Sequence, residues 1–378
     1  MLTIVLQSIA VYSFLLWIML MLSIKSYTTD KFKYVLWGII IYSIFFGFRY
    51  GVGTDCISYI ENYESAFKGY INERHEIGFT YLQSIFVKNN MPSFVFMGFL
   101  SFLQLFLVFY SFKDKKVLFP FLSITFFLAC IWLIYANGLR QILASCFFVL
   151  SLKYVEQKKL KISFVLIALG TLIHASMLLL FPVLALIILD RSWTPSIWGQ
   201  YTLLLLAIIL GQTSFINFIM EYVDKYSHFL GYDRYMDDKY AYMLQRENLH
   251  YGIGFFINIL ISVVLIYNSD KLKSEMRSMI KFYNLYFVGL LIRYTFFANS
   301  LIQRVNCYFY GFDYIIGAAI LYLLWINHEK KGYYILLSCY ILVFGATLYR
   351  MFENDSAFYF IWQKESYMEY TAKILPLI

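Results

Sequence analysis

Long apolar runs separated by short polar stretches follow one another along the whole chain. A membrane-spanning helix needs about 20 predominantly apolar residues, and most of these runs approach that length. The pattern therefore predicts spanning helices, with approximate bounds at 4–22, 34–48, 93–112, 117–135, a run that ends at 158, 198–217, 252–267, 282–298, 305–326 and 333–350.

Two apolar runs have lengths that do not suit a single spanning helix. The run 76–87 is too short to cross a bilayer as a helix, and it predicts a re-entrant or interfacial helix. The run 162–188 is long, and His174 lies near its middle. It fits either one long tilted helix or a hairpin of two short segments with His174 at the tip.

The positions of the lysines decide between these alternatives. Basic residues cluster at 25–33, 113–116, 158–161, 271–281 and 330–331. Cytoplasmic loops of membrane proteins carry an excess of Lys and Arg. All five clusters lie in the cytoplasm only if 76–87 does not cross and 162–188 enters and leaves on the same side. We therefore predict the hairpin, with His174 facing outward.

This topology predicts an all-α polytopic membrane protein of about 12 membrane segments, including the re-entrant hairpin. The chain 1–378 forms a single transmembrane domain. The N-terminus is external, and so are the loops 49–92 and 221–250 and the tail 351–378. The first run lacks a positive n-region and a small-residue cleavage site, so we interpret it as a span rather than a cleaved signal.

Composition agrees with the membrane class and excludes a soluble domain. Hydrophobic residues make up 61% of the chain and charged residues 14%, with a mean hydropathy of +0.65. The net charge of +8 does not indicate nucleic-acid binding, because the cations lie in short clusters between apolar runs. The five cysteines are scattered without C-x-x-C pairs, which argues against a disulfide or zinc framework.

A polar stretch at 48–55 follows the second predicted span. It places Arg49, Gly51, Gly53 and Asp55 where a membrane helix ends. Closely spaced glycines let a backbone turn tightly and approach a ligand. Arg49 and Asp55 either pair with each other, or Arg49 binds an anion while Asp55 contacts hydroxyl groups or accepts a proton. We predict that this stretch is one wall of a ligand site.

Other polar residues inside or beside the apolar runs fall at the same predicted outer face. The orientation came from lysine clusters elsewhere, so this agreement is independent evidence for one external site. The residues concerned are Asp55, Glu76, Asn137, Arg140, His174 and Arg304.

The arginines of this set favour a phosphorylated ligand. Asn137-x-x-Arg140-Gln141 begins a helix, whose free N–H groups and positive dipole attract an anion. Arg304 begins a later helix, and Arg293 lies well inside a predicted span, where it must pair or line a wet cavity. The three arginines at the predicted outer face, Arg49, Arg140 and Arg304, suggest that the ligand carries a diphosphate. A capped helix with a snorkelling arginine, or a lipid headgroup site without chemistry, are the alternatives.

Acid–base chemistry has three candidates: Asp55, His174 and Glu76. Histidine suits general base work, although a lone histidine in a helix is more often a core residue bound to a carbonyl. Glu76 opens a short external helix, as a favourable first-turn charge or as an acid, base or sugar ligand. The carboxylates elsewhere lack metal-ligand spacing. The many external tyrosines suit either an interfacial belt or sugar rings.

These motifs together resemble the EpsG family of Wzy-type polysaccharide polymerases, over residues of about 40 to 325. Cys56 departs from the pattern, since an aromatic residue would be expected after the aspartate. The residues that carry the resemblance are Arg49-x-x-Val52-Gly53-Thr54-Asp55, Tyr59, Glu76-x-Gly78-Phe79, Asn137-x-x-Arg140-Gln141, His174-x-Ser176 and Arg304-x-x-x-Tyr308.

The resemblance implies a bacterial plasma-membrane enzyme with a fold like the C-type glycosyltransferases and O-antigen ligases. It would transfer a growing glycan from undecaprenyl diphosphate to the non-reducing end of a lipid-linked repeat unit at the outer face. Arg49, Arg140 and Arg304 would bind the diphosphate. One of Asp55, His174 and Glu76, in that order of preference, would act as base. Further substrate-binding residues would be Asn137, Gln141, Arg293 and Tyr308.

The resemblance also sets expectations for partners. The lipid-linked donor and acceptor and the membrane lipid are the expected partners, together with a chain-length regulator protein. Neither a cofactor nor a metal is required, because the lipid diphosphate carries the activation. A flippase for lipid-linked oligosaccharide and a sugar-modifying acyltransferase are the competing functions. Charges at the midplane or on both faces, and repeat symmetry, would favour the flippase, whereas here the polar outliers cluster at one predicted face and no repeat is evident.

Overall fold

The structure is a computed structural model that describes residues 2–70, 76–188, 192–212, 252–297, 299–353 and 355–374. The predicted loop 221–250 lies outside these ranges. Within them the chain is almost wholly helical. It divides into two compact units: unit 1 is Met1–Ile188 with Leu324–Ile378, and unit 2 is Leu189–Leu323. The single domain over 1–378 stays a prediction.

Seventeen helices of the described ranges are numbered here in chain order. In the first part of unit 1 they are α1 Leu2–Thr28, α2 Lys33–Gly47, α3 Cys56–Phe67, α4 Ile77–Lys88, α5 Ser93–Ser111, α6 Phe119–Leu128, α7 Ile131–Asn137, α8 Leu139–Glu156, α9 Leu160–Ile173 and α10 Leu180–Ile188. The remaining helices are α11 Ile197–Gln212, α12 Ile253–Tyr267, α13 Ser269–Glu275, α14 Ile280–Thr295, α15 Ser300–Ile326, α16 Lys330–Tyr349 and α17 Lys364–Ile374.

The lengths and compositions of these helices identify a membrane protein. Four helices of the described part are long and apolar enough to cross a bilayer, and the number rises to six if each of two bent pairs counts as one span. Several shorter apolar helices accompany them. The four long stretches are Leu2–Thr28, Ser93–Ser111, Ile302–Ile326 and Lys330–Tyr349. The all-α membrane class is therefore confirmed.

One predicted span, 117–135, is broken rather than straight. The helices Lys116–Leu128 and Ile131–Asn137 meet at a bend of 71°. Cys130 lies at the break with φ +55°, a left-handed conformation that cannot continue a helix. The Phe127 carbonyl accepts from the Cys130 N–H at 3.0 Å and from the indole N–H of Trp132 at 3.2 Å, and both bonds fix the geometry of the break. The prediction of one continuous helix here was wrong.

The chain reverses direction at His174, as the hairpin prediction requires. α9 ends at Ile173, and α10 follows a short 3₁₀ helix. The rings of Phe164 and Phe181 lie 6.4 Å apart, whereas a continuous helix would separate these residues by about 25 Å. The alternative of one long tilted helix is therefore excluded. The membrane side that the tip faces stays a prediction.

Three of the lysine clusters come together at one end of unit 1. Lys116 pairs with Asp30 at 2.5 Å, which joins the loop 25–33 to the loop 113–116. Lys115 pairs with Glu156, the last residue of α8, at 2.9 Å. Arg140 lies in the first turn of the same helix, about 24 Å away along the axis. One end of unit 1 is therefore rich in lysine, whereas Arg140 lies at the opposite end of α8.

A small antiparallel sheet lies at the end of unit 1 where α2 ends. Its strands are β1, Arg49–Tyr50, and β2, Tyr359–Phe360. Arg49 is opposite Phe360, and Tyr50 is opposite Tyr359. The stretch that follows α2 is therefore paired with a segment close to the C-terminus.

Candidate active site

Glu76, Arg140 and His174 meet in unit 1, although they are far apart in the sequence. The Arg140 Nη1 donates to Glu76 Oε2 at 2.6 Å, and His174 Nδ1 lies 2.7 Å from Glu76 Oε1. Glu76 immediately precedes α4, Arg140 is in the first turn of α8, and His174 follows α9. Gly78 allows this meeting, because a Cβ there would lie 2.6 Å from the Leu172 carbonyl oxygen.

The Glu76 carboxylate accepts hydrogen bonds from two directions. The backbone N–H of Ala175 also donates to its Oε1, at 3.1 Å. The side chains of all three residues are about a fifth to a quarter exposed, so the cluster is partly open to solvent. One carboxylate therefore fixes both the arginine fork and the imidazole ring, and it leaves the outer parts of both groups accessible.

These contacts decide the charge of Glu76. Burial raises the pKa of the carboxyl, but the hydrogen bond and charge of His174, with those of Arg140 and Ala175, outweigh it and lower the pKa to about 2. An ionised carboxylate can only accept, so Nδ1 of His174 carries a proton. In the neutral ring, Nε2 then holds the free lone pair. Glu76 is too weak a base for neutral pH, and Nε2 of His174 is the better one.

We expect a stability signature of Glu76 in acid. Its folded pKa of about 2 lies below the ordinary value of 4.5, so the unfolded chain binds the proton first as pH falls. The stabilisation is complete above about pH 4.5 and is lost as pH falls towards 2. The difference in stability between wild type and Glu76→Gln, measured from melting curves in detergent, should shrink as pH falls from about 4.5 towards 2. A difference that already shrinks from pH 7 to 5 would contradict the assigned charge.

Arg140 also contacts aromatic residues of α3 and α4. Its guanidinium lies 5.7 Å from the centre of the Phe79 ring and hydrogen-bonds the Tyr59 side chain. Along with burial, the negative charge of Asp55 is one of the effects that raise the pKa of the Tyr59 hydroxyl. Tyr59 had no assigned role from sequence, although its position four residues after Asp55 places both on one side of α3. The cluster therefore extends from His174 to the start of α3.

The Asn137 side chain forms hydrogen bonds with the loop that precedes α3. Its Oδ1 accepts from the Thr54 hydroxyl and from the backbone N–H of Asp55, both at 2.8 Å. Gly53, at φ +83°, packs on the Asn137 backbone, where a Cβ would lie 3.1 Å from the Asn137 Cα. Asn137 therefore holds the loop, and the exposed Asp55 side chain is left at the surface.

Arg49 lies under the same loop and is only 1% exposed. Its guanidinium donates to the Phe46 carbonyl, to Ser101 Oγ at 3.3 Å and to the Ala136 carbonyl at 3.2 Å. The guanidinium is not paired with Asp55, so the closed ion pair considered from sequence does not form. Arg49 places a buried positive charge beside the residues that lead into α8.

The comparisons with known proteins decide the family. The sequence profile of the EpsG family matches residues 32–370, nearly the whole chain. The chain belongs to the EpsG family. EpsG proteins are Wzy-like polymerases, so the protein is a glycosyltransferase-type polymerase of exopolysaccharide biosynthesis. The resemblance stated from the motifs is thereby confirmed. No curated protein and no solved structure matches the chain.

The remaining site residues predicted for this EpsG protein are divided between the units. Gln141, in unit 1, follows Arg140 on α8 and is half-buried. Unit 2 holds Arg293 on α14, with the exposed Arg304 and the buried Tyr308 on α15. Among the described residues of this EpsG protein, no group of three His, Cys, Asp or Glu side chains is arranged to hold a metal ion.

Arg293 has an acidic partner that sequence reasoning missed. It pairs with Asp313, and its guanidinium lies 4.7 Å from the centre of the Tyr310 ring. Gln303 donates to the Arg293 carbonyl at 2.9 Å and accepts from the Tyr310 hydroxyl at 2.9 Å. Asp313 lies 20 residues beyond Arg293, so no local spacing links the two. An ionisable pair within the membrane helices needs a functional or structural reason.

The pair can be tested by replacing both members with apolar residues. Arg293→Met alone leaves the Asp313 carboxylate, which is 20% exposed, without this partner and should cost at most about 3 kcal/mol of stability. Arg293→Met/Asp313→Leu removes both charges and should melt near wild type. If Arg293 binds substrate, this folded double variant makes at least tenfold less polymer. Wild-type polymer from it would show that the pair is structural only. The control is Lys115→Met/Glu156→Leu, which replaces a pair of similar exposure at the lysine-rich end of unit 1 and should keep full activity.

Proposed function

We propose that this EpsG protein transfers a growing glycan from undecaprenyl diphosphate to the non-reducing end of a lipid-linked repeat unit at the outer face of the bacterial plasma membrane. The observation that carries the proposal is the Glu76–His174–Arg140 cluster in a member of a polymerase family. It combines a positioned base with a cation, and glycosyl transfer from a diphosphate needs both.

His174 acts as the general base in this mechanism. Its Nε2 takes the proton of the acceptor hydroxyl as the hydroxyl oxygen bonds to the anomeric carbon of the donor sugar. The bond from that carbon to the diphosphate oxygen breaks, and the lipid diphosphate leaves with the electron pair. Glu76 stabilises the resulting imidazolium through Nδ1. We prefer His174 to Asp55, the first choice from sequence, because the Glu76 carboxylate orients the His174 ring through Nδ1 at 2.7 Å.

The leaving diphosphate meets positive charge at the start of α8. Arg140 presents its fork there, and the first N–H groups of this 18-residue helix add a positive dipole. Arg49 contributes its buried charge from behind the loop rather than by contact. Arg304 keeps the diphosphate-binding role that the sequence assigns to it. Asn137, Gln141, Arg293 and Tyr308 remain proposed substrate-binding residues.

The external location of the site rests on the polarity of unit 1. The cluster lies about 24 Å along α8 from the lysine-rich end, close to the thickness of a bilayer core. If the lysine end faces the cytoplasm, the cluster opens outward. We further propose about 12 membrane segments, a fold like the C-type glycosyltransferases and O-antigen ligases, and a chain-length regulator as partner. Metal independence follows from the arginines, which can neutralise the diphosphate without an ion.

Deletion of the gene followed by complementation tests the function. A strain without the protein should accumulate single repeat units on the external side, because export continues while chain extension stops. Wild-type complementation should restore a ladder of polymer lengths on a gel. Accumulation of lipid-linked repeats on the cytoplasmic side would instead indicate a flippase. Polymer of normal length that lacks only an acyl group would indicate an acyltransferase.

A further inference from the structure

The segment 355–367, here called the tail segment, returns to the loop 51–55, here called the glycine loop. Beyond the pairing of β2 with β1, the Gly53 N–H donates to the Asp355 carbonyl at 2.8 Å. The Ile361 N–H donates to the Phe48 carbonyl at 2.8 Å. The glycine loop is therefore bounded on both sides by backbone hydrogen bonds to the tail segment.

The tail segment is itself fixed to α1. The Tyr12 hydroxyl donates to the Ser356 carbonyl at 2.6 Å. The Phe358 N–H donates to Ser8 Oγ at 2.9 Å, and Gln7 Nε2 donates to the Phe358 carbonyl at 2.8 Å. α1 is one of the four long apolar helices. The tail segment thus connects a rigid helix to the glycine loop.

Tyr367, at the end of the tail segment, occupies the space above Gly51. Its ring stands edge-on to the rings of Tyr50 and Tyr359, with both centroid distances 5.3 Å and both interplanar angles 84°. Gly51 has φ +72°, and a Cβ on it would overlap the Tyr367 ring. The sequence suggests that a ligand approaches the backbone here, but the chain's own tyrosine fills this position.

The glycine loop, whose position is fixed by the tail segment, contacts the residues that lead to Arg140. Gly53 packs on the backbone of Asn137, whose side chain holds Thr54 and Asp55. Asn137 is the last residue of α7, and Arg140 lies three residues later in the first turn of α8. A displacement of the glycine loop therefore displaces the start of α8.

We propose that the tail segment is a brace that positions Arg140 through the glycine loop and Asn137, with Tyr367 as its positioning residue. This inference rests on the proposed function, because it assumes that Arg140 acts in the polymerase reaction. The brace stays docked during turnover. It accounts for a segment that contacts β1 and the glycine loop through backbone hydrogen bonds, the Tyr367 ring and the Lys364 ammonium group, which lies 5.9 Å from the centre of the Tyr50 ring.

Replacement of the Tyr367 ring tests the brace. Tyr367→Ala should lower kcat about tenfold or more, since small misplacements of catalytic groups cost up to about 10²-fold. Its melting temperature should stay within a few degrees of wild type, because the strand pairing and the α1 contacts remain. Tyr367→Phe keeps the ring and should keep kcat. Met368→Ala, at the next and exposed position of α17, is the matched control.

Alanine substitutions at two glycines separate the effect of the steric overlap with Tyr367 from the free-energy cost of a positive φ. Gly69 has φ +83° with open space around it, so Gly69→Ala reports the cost of a positive φ alone. Gly51→Ala should reduce kcat much more than Gly69→Ala. The double variant Gly51→Ala/Tyr367→Ala should then recover activity relative to Gly51→Ala, because the overlap with the ring is gone.

Two results would overturn the brace: wild-type kcat in Tyr367→Ala, or equal kcat in Gly51→Ala and Gly69→Ala. A fall in melting temperature with unchanged kcat of the folded fraction would also overturn it, since this is what a purely structural contact produces. His174→Gln is measured in parallel. Normal polymer from His174→Gln refutes the proposed catalytic role of the Glu76–His174–Arg140 cluster, whereas an inactive His174→Gln beside a fully active Tyr367→Ala refutes the brace alone.

Discussion

His174→Gln is expected to abolish polymer formation while the protein remains folded. Glutamine keeps a hydrogen-bonding side chain beside Glu76, but it cannot accept a proton. The loss of a general base costs about 10²–10⁴-fold in rate, so kcat should fall by about three orders of magnitude with little change in KM for the donor. Turnover of a purified lipid-linked repeat unit, measured by separating the products by length, checks this.

His328 provides the control for this substitution. It is exposed and lies between α15 and α16, outside the cluster. His328→Gln should leave kcat unchanged. Residual activity of His174→Gln within tenfold of wild type would transfer the role of base to another group, with Asp55 as the first to examine.

Arg140→Lys is expected to have the second-largest effect. Lysine keeps the positive charge but loses the planar fork, which here meets Glu76 on one nitrogen and Tyr59 through another contact. Removal of one charge-stabilising donor from a transition state typically costs about 10²–10³ in kcat. We expect a loss in this range, visible as single repeat units in place of a ladder.

Arg350→Lys is the matched control, because Arg350 is 64% exposed and pairs with its near neighbour Glu353. It should behave as wild type. If Arg140→Lys also retained wild-type kcat, Arg140 would be a simple charge anchor, and the proposed stabilisation of the leaving diphosphate would have to come from elsewhere.

The elements that carry these residues could be predicted from the sequence because each has a local signal. Glu76 precedes a short helix, α4, and Arg140 lies in the first turn of α8 after a glycine. The reversal at His174 followed from the lysine clusters, since only a hairpin keeps them all on one side. Hydrophobic pattern, helix starts and charge bias are properties of neighbouring residues.

The contacts between these elements could not be predicted in the same way. Glu76 binds Arg140 and His174, which are 64 and 98 residues away. Nothing in the spacing indicates that one carboxylate takes both. The role of Glu76 changed for this reason: as an isolated residue it is a candidate base, but beside the Arg140 guanidinium and the His174 ring N–H it is an ionised orienting group.

Arg49 and the tail segment illustrate two further limits. An arginine at the end of an apolar run is expected to reach a wet surface, yet the two Nη atoms of Arg49 donate to carbonyls inside unit 1. A strand of two residues has no detectable alternation, so the pairing of Tyr359–Phe360 with Arg49–Tyr50 leaves no trace in the sequence. Both contacts depend on backbone groups, which every residue carries.

The most direct measurement combines purified protein with one defined undecaprenyl-diphosphate-linked repeat unit in the presence of a chelator. Wild type should convert the single unit into a ladder of longer glycans and release undecaprenyl diphosphate, one molecule for each bond formed. Glu76→Gln and His174→Gln should leave the unit unextended. A wild-type protein that yields no ladder, or a His174→Gln protein that yields a normal one, would contradict the assignment of the Glu76–His174–Arg140 cluster as the polymerase centre.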